Sequence, residues 1–415
     1  MFSEAWLLLA ALALVVGLVA GRPGLTVLGA LLAAAAGASW GANRWALHGV
    51  EYRRRLSERR AFAGETLTLE LSVANRKLLP LSWLRIEDEC PLELTVLDAE
   101  LLPSPQPTTG YLTSLLSMRW FEQVRWRLRL RGDSRGYYQL GPAHLTSGDL
   151  FGLFHREATA EGRDTLIVYP RIYGMEALGL PAKEPFGDSR AAQQMLEDPS
   201  CTVGIRDYGA GDPLRRVHWK ATARRQQLQV RVFEPTTHLQ LLICLNVATL
   251  PNAWQGSIPE LLEQAVSVAG SLASFGAEHK YEVGLVANGC WPLSDQPLRV
   301  LPGRSPYQLA YVLEALAAVS PMPTGRLADL LLKTSARLPW GATLAVVTAV
   351  VDDDLIEAME RLHAAGRRLV LFSLDGHAQG AVHEPPLRGL PFLCYRLASG
   401  PGEVPLRFAP MEVAA

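Results

Sequence analysis

Two uncharged apolar runs, residues 5–21 and 25–42, stand back to back near the start of this chain, parted only by Arg22-Pro23-Gly24. Each is close to the ~20 residues that a helix needs to cross the hydrocarbon of a bilayer. Runs so free of charge do not suit a helix pair in a water-soluble core. A cleaved signal peptide fits less well, because Glu4 stands where a basic leader is expected and a second apolar run follows at once. The pattern predicts a transmembrane helical hairpin over 1–45, with Trp6, Trp40 and Trp45 at interfacial depth. Arg44, Arg53, Arg54, Arg55, Arg59 and Arg60 crowd the exit of the second run, whereas the turn between the runs offers Arg22 alone. The positive-inside tendency then predicts a multi-pass protein of an inner or plasma membrane with its body in the cytoplasm. The basic cluster is expected to touch anionic lipid headgroups. Cys90, Cys201, Cys244, Cys290 and Cys394 are odd in number and scattered, which argues against a secreted disulfide framework.

Beyond the apolar runs, about 370 residues remain, enough for two domains at ~150 residues each. With 49% hydrophobic and 20% charged residues the composition is that of a globular chain. From 57 to 171 the grammar is β. Thr66–Val73 and Val124–Leu130 alternate with a period of two, and Asn75, Gly132-Asp133 and Gly141-Pro142 punctuate the pattern. A small β-sandwich is expected there. Residues 183–236 read as a linker followed by an Arg-rich motif. From 237 to 400 apolar strands alternate with helices, which predicts a doubly wound α/β domain with a mainly parallel sheet, followed by a tail over 401–415. The fold class expected is therefore α+β and multidomain.

The motif runs from Gly204 to Glu234 and carries seven basic residues (Arg206, Arg215, Arg216, Lys220, Arg224, Arg225, Arg231) against three acidic ones (Asp207, Asp212, Glu234). Asp212-Pro213 reads as a helix start, since Asp accepts from the free amides of a first turn and Pro needs no donor there. The helix is expected to reach Arg225, with Arg216 and Lys220 on one side and Arg215 and Trp219 on a neighbouring stripe. A strand from Leu228 to Phe233 follows.

Two uses of the basic excess compete. In one, Arg206 and Arg215 pair with Asp207, Asp212 and Glu234 while Tyr208 and Trp219 fill the seam between two domains and the rest is solvated surface. In the other, the positive face docks an acidic partner or an anionic ligand, because Arg forks suit carboxylates and phosphates. Nucleic acid is a poor match for a chain of net charge −1 with no basic, aromatic-interleaved groove elsewhere.

The order Arg206-Asp207-Tyr208, Gly211-Asp212, Arg215, His218-Trp219-Lys220, Ala223-Arg224 and Glu234 resembles the signature of the bacterial domain-of-unknown-function family 58. The resemblance extends to Ala63-Gly64-Glu65, Asn75, Arg135-Gly136-Tyr137, the run from Asp149 to Phe154, and Val168-Tyr169-Pro170-Arg171. Relatives commonly read DPFGL in the 149–154 run, from which Leu150 departs. The resemblance implies a membrane anchor and a von Willebrand factor type A-like domain. In such domains a D-x-S-x-S motif after the first strand supplies oxygen ligands to a divalent ion. This chain has Asn246-Val247-Ala248-Thr249-Leu250 there, so Asn246, Ala248 and Leu250 replace the carboxylate and both hydroxyls. No metal and no cofactor is expected.

Asp352-Asp353-Asp354 read as a helix cap. His377 and His383, near Asp375 and Glu384, lack a third fixed ligand for a metal. Neither a nucleophile elbow nor a Walker-type loop is present. The leading expectation is a non-enzymatic membrane adaptor that binds a protein through the signature. The resemblance implies a MoxR-type AAA+ ATPase as partner and a role in envelope-complex assembly. The alternatives are an enzyme or small-ligand binder holding an anionic substrate near Arg206, Asp212 and His218, and a purely structural anchor.

Overall fold

A computed structural model describes residues 2–149, 154–181, 186, 197–209, 212, 217–235, 240–291, 296–339, 342–374, 389–398 and 406–411. It divides into two compact units, Met1–Pro170 and Arg171–Ala415.

The first unit opens with α1 (Phe2–Val19) and α2 (Pro23–Trp45). A Cβ on Gly17 would lie 2.7 Å from the Thr26 backbone nitrogen, and one on Gly29 would lie 2.6 Å from the Leu14 Cα. The two helices therefore touch backbone to backbone, the approach that small residues permit between apolar helices. Among the described residues, α2 is the one helix long and apolar enough to cross a membrane. Its far end is built into the body of the unit. Ala46, just beyond the last turn, is buried with Val73, Leu84, Ile86, Met118 and Leu145. Arg156 Nη1 donates to the Arg44 carbonyl at 3.1 Å.

The strands that follow are β1 (Val50–Leu56), β2 (Arg60–Phe62), β3 (Thr66–Asn75), β4 (Leu81–Pro91), β5 (Leu94–Val96), β6 (Leu102–Pro103), β7 (Thr109–Met118), β8 (Gln123–Gly132), β9 (Gly136–Leu140), β10 (Ala143–Gly148), β11 (His155–Ala160) and β12 (Asp164–Tyr169). They form sheets of order β1-β3-β8-β5, β11-β10-β4-β7-β6 and β2-β12-β9. Strand β3 keeps the alternation read in the sequence and buries Leu67, Leu69, Leu71 and Val73 on one face. That face meets Cys90 and Leu112 of the second sheet and Leu166 and Val168 of the third in a shared core. Strand pairing begins at Val50, ahead of the boundary expected at 57.

One residue of the basic cluster is misplaced by the sequence reading. Arg54 is not a surface charge near the membrane, because its side chain is 3% exposed and it is paired with Asp88, which is 4% exposed. Arg54 Nε donates to Asp88 Oδ2 at 2.9 Å, Nη2 to Asp88 Oδ1, and Nη1 to the Leu140 carbonyl at 2.8 Å; Tyr52 Oη donates to Asp88 Oδ2 at 2.7 Å. The cause is the period of two, which turns Arg54 inward while Arg53 and Arg55 face water. Burial alone would lower the Arg54 pKa, but the hydrogen bonds and charge of Asp88 outweigh it and raise it.

The second unit has two sheets. The smaller pairs β13 (Glu197–Asp207) with β14 (Gln229–Pro235), antiparallel, with α3 (Trp219–Arg225) between them in sequence. The larger is built from β15 (Gln240–Leu245), α4 (Pro259–Glu278), β16 (Glu282–Cys290), β17 (Pro297–Gly303), α5 (Gln308–Ala318), α6 (Leu327–Ser335), β18 (Thr343–Thr348), α7 (Asp353–Ala364), β19 (Arg368–Ser373), β20 (Leu393–Leu397) and β21 (Phe408–Pro410). Its strand order is β17-β16-β15-β18-β19-β20-β21, parallel from β16 to β20 and antiparallel at both edges.

Helices cover both faces of this sheet. Leu242, Cys244, Leu344, Val346, Leu369 and Leu371 pack against Leu330 and Leu331 of α6 and Leu355 and Met359 of α7. On the other face a Cβ on Gly276 of α4 would meet Leu241 at 2.9 Å and Val283 at 2.8 Å, so α4 lies close against the strands. The tail expected over 401–415 in fact supplies β21. Its Phe408 stacks edge-on to Phe372 at 5.7 Å and donates its amide to the Leu178 carbonyl at 2.8 Å, so burial of an aromatic ring draws the segment into the sheet.

Candidate functional site

An open α/β sheet offers a ligand crevice where the strand order reverses, beyond the carboxyl ends of the strands. Here that point falls between β15 and β18, and Asn246 follows β15. Leu245 pairs with Ala287 on one side and Val347 on the other, so the register brings Asn246 level with Asn288 and Thr348. The three side chains bond to one another. Asn246 Oδ1 accepts from Asn288 Nδ2 at 2.9 Å and from the Ala248 amide at 3.1 Å, and Asn246 Nδ2 donates to Thr348 Oγ1 at 3.0 Å. Asn288 Oδ1 accepts from the Val247 amide at 2.8 Å, while its Nδ2 also donates to the Gly325 carbonyl at 3.1 Å.

These groups are buried, and each amide uses both ends within the protein. The carboxyl end of β15 is thus a neutral clasp that ties three strand ends together. Ala248 and Leu250 add no oxygen ligands, and Thr249 Oγ1 accepts from the Ile258 amide at 2.7 Å instead. Asn288 and Thr348 escaped the sequence reading. The signal was present, since each is the polar residue that interrupts an apolar strand at the same height as Asn246. The loops at this end also expose Trp254 (83%) and Met322 (71%). Asp352 accepts from the Leu355 amide at 2.8 Å and caps α7, as the run of three aspartates suggested.

The signature is organised differently from the helix-led arrangement expected. Asp212 does not start a helix that runs to Arg225. Val217 instead bridges Val230 in an antiparallel pair, the His218 amide donates to the Gln229 carbonyl at 2.8 Å, and α3 begins at Trp219. The cap is His218, whose Nδ1 accepts from the Ala221 amide at 3.1 Å. Asp212 is engaged by Arg206 in a two-point pair, Nη1 to Oδ2 at 2.7 Å and Nη2 to Oδ1 at 2.6 Å, and also accepts from the Gly209 amide at 2.9 Å. This fork-to-fork geometry closes the loop back onto β13. The Tyr208 amide donates to the Leu228 carbonyl at 2.9 Å, and buried Gln229 donates to Asp207.

What faces outward is α3. None of its residues is buried, Trp219 is 68% exposed, and Lys220 and Arg224 are exposed one turn apart. Ile205 and Leu228 add 43% and 42% exposed apolar surface on the same ribbon. Glu234 lies on β14, its backbone in the ladder. Gly211 and Arg215 lie outside the described residues, as do Asp375, His377, His383 and Glu384.

The class defined by this geometry is a mixed α+β protein with an apolar N-terminal helix, a sandwich, and a partly parallel sheet whose crest is closed by amides. Residues 204–374 match the family model described as "Protein of unknown function DUF58", a span that covers the ribbon, the amide clasp and the sheet through β19. The chain is also similar to the "Uncharacterized protein YeaD" of Bacillus subtilis (strain 168), at 23% identity over 59% of this chain and 57% of that protein, so the match spans little more than half of the relative's length. Among solved structures, a cohesin module from a family 33 glycoside hydrolase of Clostridium perfringens matches 29% of this chain and 96% of its own at 12% identity, with a TM-score of 0.19. The alkylpurine DNA glycosylase AlkC of Pseudomonas fluorescens matches 35% and 38% at 11% identity, with a TM-score of 0.20. Likenesses this slight fix neither fold nor function.

Proposed function

We propose that this chain is a membrane-anchored, non-enzymatic adaptor that binds a protein partner through the outward face of α3. The observation that carries this is Trp219, 68% exposed on a helix without a buried residue and flanked by Lys220 and Arg224. Trp and Arg are the residues that most often anchor protein interfaces, and Ile205 and Leu228 add exposed apolar surface on the same ribbon. The groups that could have served an anionic substrate are engaged: Asp212 with Arg206, and His218 Nδ1 with the head of α3. That leaves Lys220 and Arg224 to meet acidic side chains on a partner.

The same reading takes α1 and α2 as a membrane hairpin with the body in the cytoplasm, and the α/β unit as von Willebrand type A-like. The strand order and the position of Asn246 support the latter. The partner class, a MoxR-type AAA+ ATPase acting in envelope-complex assembly, comes from the family resemblance. The test is a titration of a purified MoxR-type ATPase from the same organism against the full-length chain in nanodiscs. Trp219→Ala with Arg224→Glu is expected to weaken binding by about tenfold or more. Unchanged affinity would remove α3 from the interface, and no binding by either protein would remove the ATPase.

A further inference from the structure

The sandwich carries an exposed apolar tip that neither the signature nor the sheet crest explains. It is made of two turns, residues 76–80 between β3 and β4 and residues 119–122 between β7 and β8. Leu78, Trp120 and Phe121 on them are 76%, 63% and 64% exposed. The turns are held as one piece. Buried Asn75 donates through Nδ2 to the Leu79 carbonyl at 3.0 Å and to the Arg119 carbonyl at 2.9 Å, and the Phe121 amide donates to the Lys77 carbonyl at 3.3 Å. Phe121 sits at φ 53°, a left-handed conformation that a bulky residue rarely adopts, and presents its ring to solvent.

The location of this tip gives it an occupant. The Arg76 amide donates to the Gly49 carbonyl at 2.8 Å, and Gly49 follows the end of α2 by four residues, a reach of at most ~14 Å. Burial of Ala46 in the sandwich core removes slack from that connection. The tip thus lies beside the point where α2 would leave a bilayer, on the side where Trp40 and Trp45 are also exposed. Arg76 and Arg119, both exposed, flank the apolar residues; Arg76 is paired with Glu51 at 3.0 Å, and Glu122 accepts from the Arg119 amide at 2.6 Å. Tryptophan and phenylalanine flanked by arginines are a composition that settles at the headgroup boundary.

We propose that this tip is a second membrane contact, with Leu78, Trp120 and Phe121 seated in the headgroup region of the bilayer that α2 crosses. The inference rests on the membrane reading of α2, and its test separates the two. The full-length chain carrying Phe121→Cys is labelled with an environment-sensitive fluorophore and reconstituted in phosphatidylcholine and phosphatidylglycerol vesicles, with the unlabelled-site parent as background. Lipids brominated near the carbonyl end or near the chain terminus report depth. Position 121 is expected to be quenched more by the shallow bromines, at a depth of about 5–10 Å. A probe at Leu28→Cys, within the apolar span of α2 and ~9 Å from its midpoint, is expected to be quenched by bromines at both depths, and one at Leu92→Cys, beyond the opposite end of β4, by neither. Quenching at 28 without quenching at 121 overturns the tip and leaves the anchor standing. Absence of quenching at both overturns the anchor and the tip together. Trp120→Cys gives the same reading should the Phe121 variant not fold.

Discussion

At the scale of single residues, Arg54 and Asp88 form an ion pair buried inside the sandwich. Removing Asp88 leaves the buried Arg54 with Asp164, at 3.2 Å, as its remaining carboxylate, so Asp88→Ala is expected to cost about 3 kcal/mol, measured by denaturant unfolding of the purified chain. Lys77 offers a pH test. Its amine has no hydrogen-bond partner among the described residues, and burial lowers its pKa from 10.5 to about 8. Between pH 8 and 10.5 the unfolded chain then binds more protons than the folded one, and stability rises with pH in that window. The thiols of Cys90, Cys244 and Cys394, which burial pushes up to about 12, act in the opposite direction above pH 9. Lys77→Met is therefore expected to melt higher than the parent at pH 7, with the difference shrinking toward pH 10. A gap independent of pH would show that the amine is not strained by burial.

At the scale of elements, α3 and the amide clasp behave as opposites. Trp219→Ala removes exposed surface and is expected to change stability by no more than about 0.5 kcal/mol. His218→Ala removes the cap of the same helix and is expected to cost about 1 kcal/mol, read as a shift in thermal unfolding. Asn246→Asp keeps the shape of the clasp but loses the donor to Thr348 and buries a charge; a cost of about 1–3 kcal/mol is expected from denaturant titration. Central strands and helices of the larger sheet were legible because they are sustained apolar stretches of different length, six residues in β15 and twenty in α4. The edge strands β17 and β21 were not legible, because β17 holds two prolines and β21 is three residues long and ends in one. The start of α3 was misread because Asp212-Pro213 carries a strong local helix signal, which tertiary pairing of Asp212 with Arg206 and of Val217 with Val230 overrides.

At the scale of the whole molecule, the sequence announced an apolar N-terminus, a β segment and an α/β segment, and the structure has all three. Orientation in the membrane was argued from a cluster of arginines, and the structure subtracts Arg54 from it while leaving Arg44, Arg53 and Arg55 exposed or near-exposed at the exit. Protease added to intact cells is expected to spare the body, and its digestion there would reverse the orientation. Candidate residues were legible in the signature because charge and aromatic density mark them, but their roles were not, because pairing distances decide which charges are spent internally. The burial of Ala46 reaches further than stability. A flexible leash would let the sandwich sample every tilt relative to α2, whereas a core residue placed just past the last helical turn fixes the two together. Were α2 to span a bilayer as proposed, all copies would share one height and one tilt, and a partner confined to the same surface would search for them in two dimensions at a raised effective concentration.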